Sequence, residues 1–191
     1  MKTKLHELLL GNKSAHLLYA FNSMDNYMKT VVRYILDGIA KDQSIILIEN
    51  EKYLPFVMRE LKIHLTDNEL EKIHIVNNFD FYFSTGSYHP PAILGHIEKM
   101  YKPLLDQNKS IRTWTHVEWS TIEGPLAIVE ELEKVVDKLS ADLGLTIMCA
   151  YEEEGMPESL RLSLLRTHKF ILNDDGVDYS DYYDMENIIE I

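Results

Sequence analysis

Two short apolar runs separated by one amphipathic helix constrain the fold of this chain more than any other feature. The runs are 15–21 and 44–49, and both have the composition of strands that are buried on two faces. Between them, apolar residues recur at the spacing of a single helical stripe: Met28, Val31, Val32, Ile35, Leu36 and Ile39. A strand, a helix and a second strand in this order predict a parallel β-α-β crossover, the first unit of a nucleotide-binding type of fold.

The turn after the first strand lacks the residues that hold a phosphate. A phosphate-binding turn needs glycines at this point, because backbone amides must approach the anion closely. The turn at 21–26 contains neither glycine nor lysine. Asn22 or Ser23 instead supplies an oxygen that caps the helix, and the negative charge of Asp25 suits the helix dipole but repels a phosphate. We therefore predict a degenerate phosphate loop on a fold that is used for something other than nucleotide binding.

Strands and helices continue to alternate along the rest of the chain. The segment 79–91 is rich in aromatic residues and is predicted as a loop, with a proline pair that opens the next helix. The alternation predicts an α/β fold of three layers, a mostly parallel sheet with helices on both faces. Further strands are predicted at 74–77, 111–117, 145–151 and 170–172.

The length of 191 residues and the hydrophobic content of 46% suffice for one well-buried domain. We divide the chain into an N-terminal helical segment, 1–13, an α/β domain, 14–173, and an acidic aromatic tail, 174–191. The stretch from Asn173 onward carries seven acidic residues, three tyrosines and no basic residue. Two interpretations of it stay open: a solvated, partly disordered tail, or a segment that docks on its own domain or on a second subunit.

The charge of the chain excludes several classes of partner. A net charge of -12 and a pI near 5.0 argue against direct nucleic-acid binding and against an anionic membrane surface.

A single cysteine cannot form an internal disulfide, which suits a reducing cytoplasm. The chain shows neither a signal-peptide pattern nor an apolar run of membrane-spanning length. We expect a cytoplasmic protein.

Several polar side chains would converge near strand ends in this fold. His116 and Glu118 are two positions apart on a predicted strand and so share a face, which suits a metal or a hydrogen-bonded pair. For His16 and Cys149 the alternatives are a core imidazole bonded to the backbone and an inert buried thiol. His168 follows a helix end, where it can instead cap the last carbonyl groups.

The aromatic cluster of the predicted loop, which includes Phe81, either covers the sheet or forms a lid or wall for an apolar ligand. Trp114 and Trp119 are expected one strand away, where they complete that wall and add N–H donors. The predicted ligand-binding set at the carboxyl ends of the strands is His16, Asn22, Ser23, Phe81, Trp114, His116, Glu118, Trp119, Cys149 and His168.

Short motifs occur in an order that is typical of one known family: HLLYAF at 16–21, ILDGI at 35–39, Arg112 followed by Trp119, Glu133 in a long helix, MCAYE at 148–152 and LLRTH at 164–168. The ordered set resembles the MEDS domain, the methanogen/methylotroph sensory domain, over about Ser14 to Asn173. The resemblance implies a RecA-like fold without an ATPase loop and a role in sensing small molecules. Members of that family are often fused to kinases, anti-sigma-type ATPases or DNA-binding domains.

We therefore expect a stand-alone sensory or regulatory module that binds a small organic ligand and signals through a protein such as a kinase or an anti-sigma-type regulator. We expect no NTPase activity, no cofactor and no metal. Two alternatives stay open. One is a metal-assisted hydrolase that uses His116, Glu118 and His168, although no complete ligand set or nucleophile–base pair is legible. The other is a non-catalytic structural subunit of a homodimer.

Overall fold

The computed structural model describes residues 5–12, 14–83, 85–86, 88–119, 127–173 and 176–183. Within these ranges, the strands are β1 (Ala15–Phe21), β2 (Ser44–Glu49), β3 (Ile73–Asn77), β4 (Ile111–Val117), β5 (Thr146–Glu152), β6 (Phe170–Asn173) and β7 (Gly176–Tyr179). The helices are α1 (Leu5–Gly11), α2 (Met24–Ala40), α3 (Leu54–His64), α4 (Asp67–Leu70), α5 (Asn78–Phe83), α6 (Pro90–Leu105), α7 (Ala127–Leu143) and α8 (Glu158–Thr167).

All seven strands join one sheet in the order β3-β2-β4-β5-β1-β6-β7. Every neighbouring pair is parallel except β6 and β7, which run antiparallel at one edge. β2, β4 and β1 are buried along almost their whole length, as expected for parallel strands covered on both faces. The prediction of a mostly parallel α/β sheet is confirmed.

Helices cover both faces of the sheet, so the three-layer prediction is confirmed as well. α1, α2 and α3 pack on one face, where Val31 and Ile35 of α2 meet Leu17 and Trp114 of the strands. α5 to α8 pack on the other face, where Ile97 of α6 belongs to the second core. In the part of the chain that the structure describes, no helix combines the length and the apolar character that crossing a membrane requires.

The segment 79–91 differs from the prediction, because its first part is helical. α5 continues directly from β3, and Asn77 Oδ1 accepts a hydrogen bond from the backbone N–H of Asp80 at 3.2 Å. Phe81 and Tyr82 are buried in the core on the α6 face, whereas Phe79 is 65% exposed. The burial of two adjacent aromatic side chains outweighs the weak helix propensity of this run. The prediction of a loop here was therefore wrong for 79–83.

The sheet extends beyond the boundary predicted at Asn173. β7 pairs with β6, and Phe170 faces Tyr179 across the pair. Tyr183 donates a hydrogen bond from its hydroxyl to Asp137 Oδ2 of α7 at 2.7 Å. Of the two interpretations of the tail, docking on its own domain therefore describes 176–183. Residues 184–191 lie outside the described part of the chain.

A close approach between α2 and the sheet surrounds Gly38. A Cβ atom at this position would lie 2.6 Å from Cδ1 of Ile45 and 3.1 Å from Cδ of Arg112. The Arg112 side chain is 1% exposed and donates to the Tyr34 carbonyl at 3.0 Å and to Asp37 Oδ2 at 2.7 Å. The guanidinium thus fixes the end of α2 to β4, and glycine makes room for its stem.

We predict that Gly38→Ala destabilises the protein whereas Gly95→Ala stabilises it. The added methyl group at Gly38 overpacks a buried contact, which outweighs the helix-propensity gain and leaves a loss of about 1 kcal/mol. Gly95 lies inside α6 with nothing within 4 Å of its added Cβ, so the same exchange gains about 0.5–1 kcal/mol. Urea unfolding of the two variants measures both changes, and equal gains in stability would contradict the close approach.

Candidate functional site

Two buried polar clusters lie on opposite faces of the sheet. We call the one beneath α2 and α3 the Glu49 cluster; its members are Glu49, Tyr27, Trp114 and His116. We call the one beneath α7 the Glu133 cluster; its members are His16, Glu133, Cys149 and His168. The sheet separates the two clusters, so residues predicted for one pocket are divided between two places.

The turn between β1 and α2, where a phosphate loop lies in nucleotide-binding proteins of this architecture, is closed by a side-chain cap. Ser23 is the N-cap residue, and its hydroxyl accepts a 3.5 Å hydrogen bond from the backbone N–H of Asn26. Asp25 occupies the first turn of the helix and Asn22 is exposed. A helix start that already carries a capping oxygen and a carboxylate offers little to an anion.

The carboxylate at the centre of the Glu49 cluster is fully satisfied despite its complete burial. Glu49 accepts hydrogen bonds from the Tyr27 hydroxyl and from the backbone N–H of Asn50, the latter at 2.8 Å. His116 Nδ1 lies 2.7 Å from Oε1 of the same carboxylate. Trp114 Nε1 donates to the Tyr27 hydroxyl at 3.0 Å. Burial and the charge of Glu49 raise the pKa of Tyr27 well above its usual value, so the phenol remains a donor.

Glu118 and Trp119 follow β4 and bind partners of their own. Glu118 accepts hydrogen bonds from Asn50 Nδ2 at 2.8 Å and from Asn78 Nδ2 at 3.0 Å. Trp119 Nε1 donates to the Glu152 carbonyl at 2.7 Å. The His116 ring contacts Glu49, and Asn50 links the two carboxylates, because its backbone N–H donates to Glu49 and its side chain donates to Glu118.

The Glu133 cluster brings four side chains from four elements to one point. His16 comes from β1, Glu133 from α7, Cys149 from β5, and His168 from the residue after α8. Glu133 Oε2 lies 3.2 Å from His16 Nε2, 3.6 Å from His168 Nε2 and 3.7 Å from Cys149 Sγ. Cys149 Sγ lies 3.4 Å from His16 Nε2. One donor atom from each residue lies within 4.8 Å of all the others, and all four residues are buried.

A second layer of groups orients this cluster. His16 Nδ1 faces the Thr167 carbonyl at 3.2 Å and Asp137 Oδ1 at 3.3 Å. His168 Nδ1 faces the Leu164 carbonyl at 2.8 Å. Because these partners only accept, both Nδ1 atoms carry protons and both Nε2 atoms point into the cluster. The Tyr151 hydroxyl donates to Glu133 Oε1 and fixes the carboxylate from its other side.

The members of the Glu133 cluster differ in the direction in which their pKa values are shifted. Burial alone would raise the pKa of Glu133, but the hydrogen bond from His16 and the nearby imidazoles hold it at about 2. Burial and repulsion from His16 lower the pKa of His168 to about 3. Although burial opposes it, hydrogen bonds with Asp137, Cys149 and Glu133 raise the pKa of His16 well above its usual value, whereas burial and the charge of Glu133 raise the pKa of the Cys149 thiol to about 12. His168 is therefore a neutral imidazole beside a carboxylate and a cation.

A small cavity of about 30 Å³ lies next to this cluster, between the sheet and helices α6 and α7. Phe81, Thr115, Glu133 and Cys149 are among the residues that line it. Its volume accommodates a single water molecule, so it does not hold an organic ligand in this conformation. Phe81 of α5 packs in the core on the α6 face of the sheet. Trp114 of β4 points to the opposite face, beneath α2. The predicted wall of Phe81, Trp114 and Trp119 is therefore not formed.

A larger apolar groove of about 1060 Å³ runs between α2 and α3 on the surface. We call it the α2–α3 groove. Tyr53 at its edge also contacts the His116 ring, with 5.9 Å between ring centroids, and so links the groove to the Glu49 cluster. Its apolar lining consists of Met24, Met28, Val32, Leu36, Tyr53 and Phe56, and its charged lining residues are Asp25, Lys29, Arg33, Asp37, Lys52, Arg59 and Glu60.

The structure does not assemble the catalytic set of the hydrolase alternative. His116 lies against Phe21, Tyr27 and Tyr53 on the α2 face. His168 stacks on His16 on the α7 face, with 3.9 Å between ring centroids. Since the sheet separates the two histidines, they cannot hold one metal ion together.

Sequence reasoning missed the centre of each cluster. Glu133 interrupts the buried stripe of α7 that contains Val129, Leu132 and Val136, and a carboxylate at an inward position signals a buried polar partner. Glu49 is the last residue of the apolar strand β2, and a carboxylate at that position likewise indicates a buried polar partner. The groove was missed because Met28, Val32 and Leu36 were assigned to the buried stripe of α2, whereas they are only partly buried.

We predict that Glu133→Gln destabilises the protein by roughly 3 kcal/mol. The substitution leaves the buried His16 imidazolium without its nearest carboxylate, and a buried charge that loses its partner is costly. Glu131→Gln on the exposed side of the same helix is the matched control and should change stability by less than about 0.5 kcal/mol. Equal stability of the two variants in urea unfolding would show that Glu133 compensates no buried charge.

Comparison with known proteins places the geometry in context. A family model described as "MEDS: MEthanogen/methylotroph, DcmR Sensory domain" matches residues 15–169. No curated protein sequence gives a significant match.

Solved structures share the fold at low sequence identity. The uncharacterized protein PH0321 from Pyrococcus horikoshii, solved with an unknown peptide, is 15% identical with a TM-score of 0.59, covering 86% of this chain and 81% of that one. The KaiC-like protein PH0186 from Pyrococcus horikoshii OT3 is 14% identical with a TM-score of 0.57, covering 84% and 70%. A third solved structure, an ATPase domain, is 11% identical with a TM-score of 0.53, covering 94% and 74%. These likenesses show a RecA-like fold.

Proposed function

We propose, from the premise that this chain belongs to the MEDS family of sensory domains, that it binds a small, largely apolar organic molecule in the α2–α3 groove. In this proposal, the domain signals the bound state to a protein such as a kinase or an anti-sigma-type regulator. The observation that carries the proposal is the groove itself, whose volume of about 1060 Å³ is just above the usual range of roughly 300–1,000 Å³ for small-molecule sites.

The composition of the groove favours an apolar ligand. Met24 and Met28 give it flexible, polarisable walls, which adapt to ligands of different shapes. Phe56 is 48% exposed although it is a large apolar side chain, so a ligand that covers it gains hydrophobic stabilisation. Arg59 lies over the Phe56 ring at 5.5 Å and shields one of its faces from solvent.

The position of the groove supports coupling between ligand and scaffold. Its two helices begin at the carboxyl ends of β1 and β2, where ligands of open α/β sheets bind. Tyr53 connects the groove to His116 and through it to the buried carboxylate of Glu49. A ligand that prefers one separation of α2 and α3 would shift the population of these arrangements, which is what a sensor requires.

The proposal includes the absence of NTPase activity. The Ser23 cap and the Asp25 carboxylate occupy the helix start that a triphosphate would use. The 21–26 turn supplies no lysine to pair with phosphate oxygens. The separation of His116 from His168 by the sheet further favours a binding role over the hydrolase alternative.

A fragment screen by thermal shift tests the ligand site. A panel of short aliphatic and small aromatic compounds should contain binders that raise the melting temperature, by about 5–10 °C at a hundredfold excess over Kd. Phe56→Ala should abolish these shifts, because it removes the exposed apolar wall of the groove. Phe79→Ala is the matched control, since Phe79 is exposed on α5, outside the groove.

The result that would contradict the site is a set of binders whose shifts persist unchanged in Phe56→Ala. A panel without a single binder would contradict the proposal that this groove takes a small apolar ligand. A concentration-dependent dimer of the purified chain that Phe56→Ala dissociates would instead assign the groove to self-association.

A further inference from the structure

We propose that the Glu133 cluster is a zinc site, with His16 Nε2, Glu133 Oε2, Cys149 Sγ and His168 Nε2 as its four ligands. Imidazole, carboxylate and thiolate are the ligands that Zn²⁺ takes in proteins. The four residues come from β1, α7, β5 and the residue after α8, so the ion would join four elements that are distant in sequence.

The spacing of the donor atoms fits a tetrahedral ion. Zinc–nitrogen and zinc–oxygen bonds of about 2.0–2.2 Å and zinc–sulfur bonds of about 2.3 Å place the donors of a tetrahedral site about 3.3–3.8 Å apart. The distances from Glu133 Oε2 to the other three donors are 3.2, 3.6 and 3.7 Å, and His16 Nε2 lies 3.4 Å from Cys149 Sγ. Four of the six donor separations therefore already stand close to those that a bound ion would impose, and the two others, from His168 Nε2 to His16 Nε2 and to Cys149 Sγ, are within 4.8 Å.

The hydrogen bonds around the cluster leave the ligand atoms free to coordinate. Both histidines have Nδ1 opposite a carbonyl, that of Thr167 for His16 and that of Leu164 for His168; His168 Nδ1 also lies 3.1 Å from the Thr167 hydroxyl, which itself donates to the Leu164 carbonyl. Each imidazole therefore keeps a proton on Nδ1; the neutral His168 has a lone pair at Nε2, and a metal ion would displace the Nε2 proton of the His16 imidazolium. A carbonyl or carboxylate behind a ligating histidine is the usual support of such a ligand. Tyr151 fixes Glu133 in the same way through Oε1.

His168 supplies an independent observation that favours an ion. Its Nε2 is completely buried and has no hydrogen-bond partner, although Glu133 Oε2 lies 3.6 Å away. An unpartnered buried nitrogen costs free energy unless something coordinates it. A proton shared between His16 and Glu133 satisfies those two groups but leaves His168 Nε2 alone. A cation at the centre of the cluster satisfies all four groups at once.

The donor set also narrows the identity of the ion. One thiolate and two imidazoles disfavour Mg²⁺ and Ca²⁺, which require oxygen ligands. Four protein ligands form a closed site, so the ion would have a structural or regulatory role rather than a catalytic one. Asp137, whose side chain is 26% exposed and faces His16, marks the side from which the ion can enter.

Metal analysis of the full chain, expressed and purified under reducing conditions with zinc supplied, tests the proposal. We expect about one zinc per chain after dialysis, and a melting temperature that falls on treatment with a chelator and recovers on addition of zinc. Replacement of zinc by Co²⁺ should give the visible absorption of tetrahedral cobalt together with a cobalt–thiolate charge-transfer band. These measurements use the unaltered protein and do not depend on the folding of a variant.

Two variants identify the ligands, and a third serves as the control. Cys149→Ser removes the thiolate with the least change in volume, and it should abolish the thiolate band and lower zinc affinity at least about tenfold. His168→Asn keeps an amide donor near the Leu164 carbonyl but removes Nε2, and it should lower affinity to a similar extent. His74→Gln changes an exposed histidine on β3 and should retain zinc.

Two sets of results would overturn the proposal. A wild-type chain that carries no zinc, gains no stability from added zinc and shows no cobalt–thiolate band has no such site. Zinc that remains bound in Cys149→Ser and His168→Asn but is lost in His74→Gln would assign the metal to surface histidines.

Discussion

In the described part of the chain, each face of the central sheet buries one carboxylate, and hydrogen bonds to these two groups organise the polar interior of the fold. Glu49 recruits Tyr27, His116 and the backbone of Asn50 on one face. Glu133 contacts His16 and accepts a hydrogen bond from Tyr151 on the other. A buried carboxylate that loses its partners is strongly destabilising, so these contacts fix the relation of α2 and α7 to the strands.

The two carboxylates lie in two separate clusters, whereas the sequence predicted their surrounding residues for one pocket, and the two proposals divide between the clusters. On the α2 face, the network ends at Tyr53 and at the open α2–α3 groove, which suits reversible binding of an apolar molecule. On the α7 face, the network is enclosed and adjoins a cavity of only about 30 Å³, which suits an ion rather than an organic ligand. Membership of the MEDS family accounts for a sensory role on a RecA-like scaffold.

The strands, the helices and their arrangement in layers could be predicted because the sequence patterns that indicate them are local. Apolar runs and helical stripes located the strands and the two-sided sheet, and the composition of the 21–26 turn anticipated the cap that Ser23 provides. α5 was missed because its aromatic residues gain their helical form from tertiary burial. The site was less predictable: without the strand order, nothing in the sequence shows that Trp114 and Phe81 lie on opposite faces or that Glu133 meets His16.

The central claim is that this RecA-like scaffold serves recognition and does not bind a nucleoside triphosphate. Isothermal titration of the full chain with magnesium-ATP, together with an assay for released phosphate, tests that claim most directly. The account predicts no binding heat and no phosphate release above the buffer rate, because Asp25 and the Ser23 cap occupy the helix start. Saturable binding of magnesium-ATP that Asp25→Asn strengthens, or phosphate release by the purified chain, would contradict it.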